Sequence, residues 1–305
     1  MIKRTLYFGN PAYLSMRNAQ LVINLPEAKG IDNLTGNNTI PIEDIGIVIL
    51  DHKQITITHG VLEELLANNA AVITCNSARM PVGLLLPLDG HNTQSERFRA
   101  QINASLPLQK QLWQQTIQCK IENQAYILDQ VLGVNAKNMK VWVGEVKSGD
   151  ADNLEARAAA YYWKNMFPAT PNFTRGREGE PPNNLLNYGY AILRAVVARS
   201  LVGSGLLPTL GIHHHNRYNA YCLADDIMEP YRPFVDKIVL EIIESGEDIS
   251  ELSKPLKAKL LSIPVLDVNI NGQKSPLMIA VSNTTASLAK CYLGEARKIN
   301  YPSFL

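Results

Sequence analysis

Three consecutive histidines and two acidic residues that follow them are the groups in this sequence best suited to chemistry. His213, His214 and His215 make up half of the six histidines in the 305-residue chain, and Asp226 and Glu229 come shortly after them. A spacing of three predicts that both carboxylates project from one face of a helix beginning near Leu223. Like charges on one face repel each other, and a divalent cation would relieve that repulsion. The pattern therefore indicates a metal site.

Each of these groups also has a purely structural interpretation. An acidic pair three residues apart is commonly a solvated helix face, and histidines between Gly211 and Asn216 are compatible with an ordinary turn. Three adjacent histidines also suggest zinc, which favours imidazole and thiolate ligands. Consecutive residues cannot all face one ion, however. An oxygen-rich site with one nitrogen ligand, which suits Mg²⁺ or Mn²⁺, is the better interpretation.

A third acid is needed to complete such a site, and Glu155 is the best candidate. It precedes alanines at 156, 158, 159 and 160, whose small side chains permit close helix packing. The same segment is compatible with a helix start at which Asp152 and Glu155 interact favourably with the helix dipole. Composition alone does not separate the two. Glu229 stands before Pro230 in an apolar, aromatic setting, and a proline inside a helix would bend the chain there.

The elements that must position these residues divide the chain into two parts. Short β-type runs at 6–8, 21–25, 45–50, 55–57 and 71–74 surround one short helix near 59–68. The apolar period then changes to about 3.6. Helices are expected from a cap at Thr93 and near 108–132, 136–147, 151–166, 184–203, 224–245 and 276–295. The predicted fold is α+β, with a small β-sandwich-like N-terminal domain (1–88), a linker (89–97) and a larger all-α catalytic domain (98–305).

One segment fits neither period. Residues 168–182 contain four prolines, two glycines and two arginines, Arg175 and Arg177. A stretch of this length without secondary structure is typically functional or mobile. We expect a loop here.

Composition excludes several classes of protein. The chain is 46% hydrophobic and 19% charged, with 29 basic and 28 acidic side chains, which is unlike a disordered or membrane-embedded protein. The four cysteines form no Cys-x-x-Cys pair, which argues against a zinc ribbon and favours reduced, buried thiols. A soluble, cytoplasmic protein is expected, because no long apolar window and no secretory-type start are present.

Four ordered segments of the second part resemble a known family. The family is the CRISPR spacer-acquisition integrase, and the segments are Glu155–Trp163 (EARAAAYYW), Asn184–Leu193 (NLLNYGYAIL), Leu210–His214 (LGIHH) and Leu223–Pro233 (LADDIMEPYRP). The stretch His213–Asn219 resembles the type II branch in particular. Because four separate blocks match in order, the resemblance is specific.

The resemblance implies a catalytic metal site and a set of partners. Glu155, His214 and Glu229 would hold one Mg²⁺ or Mn²⁺, with Asp226 as an auxiliary acid and His213 as the rival of His214. Many members carry Asp at the position of Glu229. The family also implies a homodimer formed through the N-terminal domain, and two such dimers bridged by a small ferredoxin-like partner dimer in a heterohexamer. The type II effector nuclease is among the proteins expected to cooperate.

The expected reaction is attack by the 3′-hydroxyl of a short double-stranded DNA on a phosphodiester at the edge of a CRISPR repeat. The sequence has no Walker-type phosphate-binding loop, in agreement with a transesterification that hydrolyses no nucleotide. Residues 93–199 hold 13 basic and 9 acidic side chains, and this is the only electropositive part of the chain. The arginines expected to contact phosphates, each of which is also compatible with an ordinary surface ion pair, are Arg157, Arg175, Arg177, Arg194 and Arg199.

Two other functions compete with this one. The first is a zinc-dependent hydrolase built on His213–His215. The second is a non-catalytic helical scaffold that binds DNA, in which the acids are merely solvated.

Overall fold

The chain divides into two units, residues 1–90 and 91–305. The computed structural model describes residues 3–26, 38–170, 172–176 and 178–305. The division falls within the expected linker at 89–97, but a helix already begins at Gln94. Residues 94–97 are therefore helical.

Within the described part of the first unit, the strands form two four-stranded sheets. One has the order β1 (Arg4–Phe8), β5 (Ile45–Leu50), β7 (Ala71–Cys75), β8 (Pro81–Leu85), and its first three strands are parallel. The other has the order β4 (Asn38–Pro41), β3 (Gln20–Asn24), β2 (Ala12–Arg17), β6 (Ile55–Ile57). Strands β2, β4 and β8 were not expected from the sequence. Both sheets are mixed, so the unit is not a simple antiparallel sandwich.

The core of this unit explains why its strands form. β5 is an uninterrupted apolar run buried along nearly its whole length, as is typical of a central parallel strand. The helix α1 (His59–Ala67) lies between β5 and its parallel partner β7 in the chain and buries Val61 and Leu65 in the core. The predicted helix at 59–68 is confirmed.

The second unit is mainly helical. Its helices are α2 (Gln94–Ile102), α3 (Leu106–Tyr126), α4 (Lys137–Glu145), α5 (Leu154–Met166), α6 (Asn183–Gly203), α7 (Cys222–Met228), α8 (Arg232–Glu244), α9 (Lys254–Leu260) and α10 (Leu277–Tyr292). All of them except α9, which was not expected from the sequence, lie close to predicted helices. Ser105 caps α3 by accepting a hydrogen bond from the Leu108 N–H. Helix α6 packs against α7, α8 and α10, whereas α3 packs against α5 and residues 229–231. Both helices also contact α7 and α8, so α7 and α8 lie against both α3 and α6.

Two features of the second unit correct the sequence prediction. The domain is not all-α, because β9 (Asp267–Ile270) and β10 (Gln273–Pro276) form an antiparallel hairpin. Its turn residues Asn271 and Gly272 both have positive φ, 53° and 76°, which is the conformation that an Asn-Gly turn favours. The predicted helix over 224–245 is also interrupted. A 3₁₀ turn at Glu229–Tyr231, which contains Pro230, separates α7 from α8.

No helix among the residues that the structure describes combines the length and apolar character needed to cross a bilayer.

Candidate active site

Glu155 lies in the first turn of α5, and a buried aspartate fixes that turn. The carboxylate of Asp150 accepts hydrogen bonds from the backbone N–H groups of Leu154 and Glu155, at 2.9 and 3.0 Å. Asp150 has a φ of +51°, a conformation that Asp adopts more readily than most residues. Asp152, one of two acids expected to stabilise this helix start, instead forms an exposed ion pair with Lys147. The residue that does so, Asp150, was missed from the sequence.

Glu229 is positioned by the 3₁₀ turn between α7 and α8. Only 4% of the residue is exposed. Its Oε1 forms an ion pair with Nη2 of Arg232 at 2.9 Å, and its Oε2 lies 2.7 Å from the Nζ of Lys120. The turn therefore aims a carboxylate into the interior, where two cations meet it.

Lys120, on α3, joins the two acids. Its Nζ donates to Oε1 of Glu155 at 2.7 Å and contacts Oε2 of Glu229 at the same distance. Burial of Lys120 opposes its charge, but the carboxylates of Glu229 and Glu155 outweigh that penalty and hold the pKa of Lys120 above its usual value. Burial likewise opposes the charge of Glu229, yet Arg232 and Lys120 hold the pKa of Glu229 below its usual value. Lys120 and Glu229 are therefore charged at neutral pH.

Asp226 holds the loop that carries the histidines. This fully buried carboxylate accepts from the backbone N–H groups of Ile212 at 2.6 Å and His213 at 2.9 Å, and from Nδ1 of His214. The hydrogen bond between the His214 ring and Asp226 is the main reason that the pKa of His214 is raised. The negative charges of Glu229 and Glu155 raise this pKa further. His214 is thus within electrostatic reach of both acids.

A glycine makes this tight loop possible. A Cβ on Gly211 would lie 2.3 Å from the carbonyl oxygen of His214 and 2.9 Å from Oδ2 of Asp226. No side chain fits there without moving the backbone, so the approach of the loop to Asp226 requires glycine.

A second acid anchors the far end of the same loop. Oδ2 of Asp225 accepts from the side-chain amide of Asn219 at 2.7 Å, and its Oδ1 accepts from Nε of Arg194 at 2.6 Å. Arg194, predicted to contact DNA, is therefore held in an ion pair with Asp225. The Arg194 side chain is 42% exposed.

The three histidines point to different surroundings. The ring of His213 stacks on Trp113, with centroids 4.2 Å apart and planes inclined by 3°. His214 meets Asp226, and His215 is exposed and lines a cavity of about 410 Å³ together with His214, Arg217 and Asn219. Among the described residues, no three His, Cys, Asp or Glu side chains stand in a ready coordination geometry. This finding applies both to the zinc site expected on the histidine cluster and to the set Glu155, His214 and Glu229.

The remaining predicted arginines have different environments. Arg157 is exposed, stacks over Trp142 at 4.7 Å and lines a cavity of about 800 Å³. Arg175 donates to Asn183 at 2.9 Å and to Asn187 at 2.7 Å, so it anchors the 168–182 loop to α6. Arg199 is only 8% exposed, which argues against the predicted phosphate contact. Arg177 lies outside the described residues.

The cations of the site were missed from the sequence, although one signal was present. Trp113, Thr116, Ile117, Lys120 and Ile121 form a buried stripe on α3. A lysine within such a stripe requires a partner, because an unpaired buried charge is costly. The sequence of α3 does not indicate which acids pair with Lys120.

The whole chain is similar to known proteins of one family. The family model described as CRISPR associated protein Cas1 matches residues 6–253. A CRISPR-associated endonuclease Cas1 from Neisseria meningitidis serogroup C (strain 8013) is 35% identical over 307 residues, covering 100% of this chain and 97% of that protein.

Solved structures agree on the fold. A casposase bound to integration product superposes with a TM-score of 0.79 at 21% identity, covering 98% of this chain and 92% of the casposase. A chain of a Cas6-RT-Cas1–Cas2 complex gives a TM-score of 0.71 at 20% identity, covering 97% of this chain and 35% of that one. With the family model matching most of its length and a relative above 30% identity end to end, the chain belongs to the Cas1 family.

Proposed function

We propose that the chain is a divalent-metal-dependent DNA endonuclease and integrase of CRISPR adaptation. In this function it joins the 3′-hydroxyl of a short duplex DNA to a CRISPR repeat by transesterification. The observation that carries the proposal is the convergence of Glu155 and Glu229 on one cation, with His214 in electrostatic reach of both. The relative named as an endonuclease and the casposase bound to integration product support the same chemistry.

The donor set fits Mg²⁺ or Mn²⁺. Two carboxylates and one imidazole suit these ions better than zinc. The buried Oε2 of Glu229 takes part in no hydrogen bond, although it touches Lys120, so an oxygen ligand is available there. Glu155, His214 and Glu229 would hold the ion. It would act as a Lewis acid on the phosphate and stabilise the attacking or leaving oxygen.

The protein groups around this set orient it. Asp226 engages Nδ1 of His214, which leaves Nε2 as the nitrogen for the ligand position. The bonds from Asp226 to the loop backbone fix where that ring stands. Asp150 does the same for the helix turn that carries Glu155. Asp226 thus acts on the metal through His214, and His213, stacked on Trp113, is the weaker candidate ligand.

DNA approach requires positive charge near an acidic site. The exposed Arg157 and the partly exposed Arg194 lie on α5 and beside the histidine loop, where each can meet a phosphate. We keep Arg177 as a candidate on sequence grounds alone. These contacts position the duplex and carry no sequence information by themselves.

We further infer that the chain works as a homodimer in complex with a small ferredoxin-like partner. The Cas1–Cas2 complex among the structural neighbours supports such a partner. Apolar side chains exposed on the first unit, namely Tyr13, Met16, Val82 and Leu85, support an interface there. Cooperation with a type II effector nuclease rests on the sequence resemblance only.

The test is strand transfer of a short 3′-hydroxyl duplex into a supercoiled repeat-bearing plasmid in Mn²⁺, with and without the small partner. The native chain should give metal-dependent joined product. His214→Ala should abolish it, and His59→Ala, at an exposed histidine of the first unit, should retain it. If His213→Ala abolishes strand transfer and His214→Ala retains it, the metal ligand is His213 and not His214. Absence of metal-dependent transfer in the native chain with its partner would reject the function.

A further inference from the structure

A lysine ammonium stands where the two acids would meet a metal ion. Only 11% of the Lys120 side chain is exposed, and its Nζ lies 2.7 Å from a carboxylate oxygen of both Glu155 and Glu229. The contact with Glu155 is a hydrogen bond, whereas Oε2 of Glu229 has an ion-pair contact without hydrogen-bond geometry. Lys120 therefore holds the second carboxylate by charge, in the manner of a bound cation.

The charges of this cluster are already balanced. The carboxylates of Glu155 and Glu229 face the two cations Lys120 and Arg232. A divalent ion added to this cluster leaves an excess of positive charge in a buried place where charges are poorly screened. Either a cation must leave the cluster or an anion must enter with the metal.

A DNA phosphate is the anion that the proposed function brings to the site. A phosphate oxygen can pair with the ammonium of Lys120 when the metal binds the two carboxylates. The positive and negative charges of the cluster are then balanced again. The structure therefore gives a reason for the metal and the DNA to bind together.

We propose that Lys120 is an internal counter-cation that occupies the metal position in the DNA-free protein and makes metal binding depend on DNA. The inference rests on the metal site of the proposed function and adds a role for Lys120 to it. Lys120 is in these terms a positioning residue, because it acts on the metal through the two carboxylates. A merely structural role, in which Lys120 ties α3 to α5 and to the 229–231 turn, would leave the metal affinity of the DNA-free protein unchanged when the charge of Lys120 is removed.

The experiment measures Mn²⁺ affinity by titration calorimetry, with and without a short 3′-hydroxyl duplex. The native chain should bind Mn²⁺ at least about tenfold more tightly with DNA than without it. Lys120→Met, which keeps the length of the side chain and removes its charge, should bind Mn²⁺ more tightly than the native chain when DNA is absent. The gain in Mn²⁺ affinity from DNA should then be smaller than in the native chain.

Two reference variants complete the design. Lys140→Met removes an exposed lysine that is ion-paired with Asp129 away from the site, and it should behave like the native chain. The double variant Glu155→Gln, Glu229→Gln reports the Mn²⁺ that DNA holds by itself.

Folding is checked because Lys120→Met leaves two buried carboxylates without their shared partner. Lys120→Gln, which keeps a hydrogen-bond donor without the charge, serves as the second variant. A variant that is folded only in Mn²⁺ by circular dichroism supports the proposal, since the metal then replaces the missing charge. Failure of Mn²⁺ to restore folding to either variant contradicts it.

The outcomes separate this inference from the proposed function. One outcome is that the native chain and Lys120→Met bind Mn²⁺ equally tightly without DNA, whereas the double variant does not bind it. This outcome overturns the role of Lys120 and is compatible with the metal site. No Mn²⁺ binding above the double variant, in any protein and with or without DNA, overturns both.

Discussion

At the residue scale, the site is a set of buried charges that depend on one another. Glu229 meets Lys120 and Arg232, and Lys120 meets Glu155 in turn. Desolvation of each group is offset by its partners, so removing one charge exposes the others to an uncompensated penalty. This interdependence explains how a lysine can be both fully charged and nearly buried.

A second buried network lies behind the site, around Asp236. Its carboxylate accepts from the hydroxyls of Tyr162, at 2.9 Å, and Tyr190. Burial raises the pKa of Asp236 to about 7, although these hydrogen bonds and the nearby cations Arg232 and Arg175 act in the opposite direction. Protonation of Asp236 is therefore favoured in the folded state.

We predict that this network makes stability depend on pH. The folded-state pKa exceeds the ordinary value of 3.8, so the stabilising contribution of Asp236 is complete below that value and is lost as pH rises toward about 7. Relative to Asp236→Asn, the native free energy of unfolding should fall over that window, by at most about 1.4 kcal/mol per pH unit. Urea denaturation at several pH values measures it. Parallel curves for the two proteins would contradict the assignment.

At the element scale, each acid depends on an irregular turn. Glu155 follows a turn whose Asp150 has positive φ, and Glu229 lies in a 3₁₀ turn that interrupts a predicted helix. Irregular backbone is common where a side chain must be aimed, because a regular helix offers only its fixed directions. The two turns are far apart in the chain, and each brings its acid to Lys120 on α3.

The turn before α5 gives a direct prediction. Asp150→Ala removes both hydrogen bonds to the N–H groups of Leu154 and Glu155 and should cost about 1 kcal/mol of unfolding free energy. Strand transfer should fall as well, because Glu155 loses its fixed position. Asp152→Ala, at the exposed neighbouring acid, should change neither quantity appreciably. Chemical denaturation and the plasmid assay measure both, and equal effects of the two variants would refute the assignment.

At the scale of the whole molecule, the balance of charge is nearly neutral, with a net charge of +1. The DNA binding proposed for this chain therefore depends on local positive charge and not on the overall field. Residues 93–199 supply that local excess. The structure then decides which of their arginines reach the surface.

Exposure separates two of the predicted DNA-contacting arginines. Arg157→Ala should weaken DNA binding and lower the slope of log affinity against log salt by about one unit, because one phosphate contact is lost. Arg199→Ala should leave that slope unchanged and lower stability instead, because Arg199 is buried. Fluorescence anisotropy over a salt series measures the slopes. A lower slope for Arg199→Ala alone would reverse the assignment.

The sequence was sufficient for what depends on local spacing. Apolar periods of two and 3.6 predicted most of the described helices and the strands β1, β3, β5, β6 and β7, and four ordered segments predicted the family. It failed where local signals are weak or compete. Strands β2, β4 and β8 were missed, as was the hairpin whose Asn271-Gly272 turn was visible in the sequence. Pro230 was expected to bend the helix, but the 3₁₀ turn that it allows was not foreseen.

Residue type and spacing indicated a metal site among the histidines, Asp226 and Glu229 and made Glu155 a candidate, and the family resemblance then selected Glu155, His214 and Glu229 as the ligands. Only the tertiary structure decided what surrounds them. Lys120 lies 35 residues before Glu155 in the chain, and no local pattern links the two. Burial, pairing and the direction of a side chain arise when distant elements pack together. The charge that Lys120 places between the acids is therefore a property of the fold.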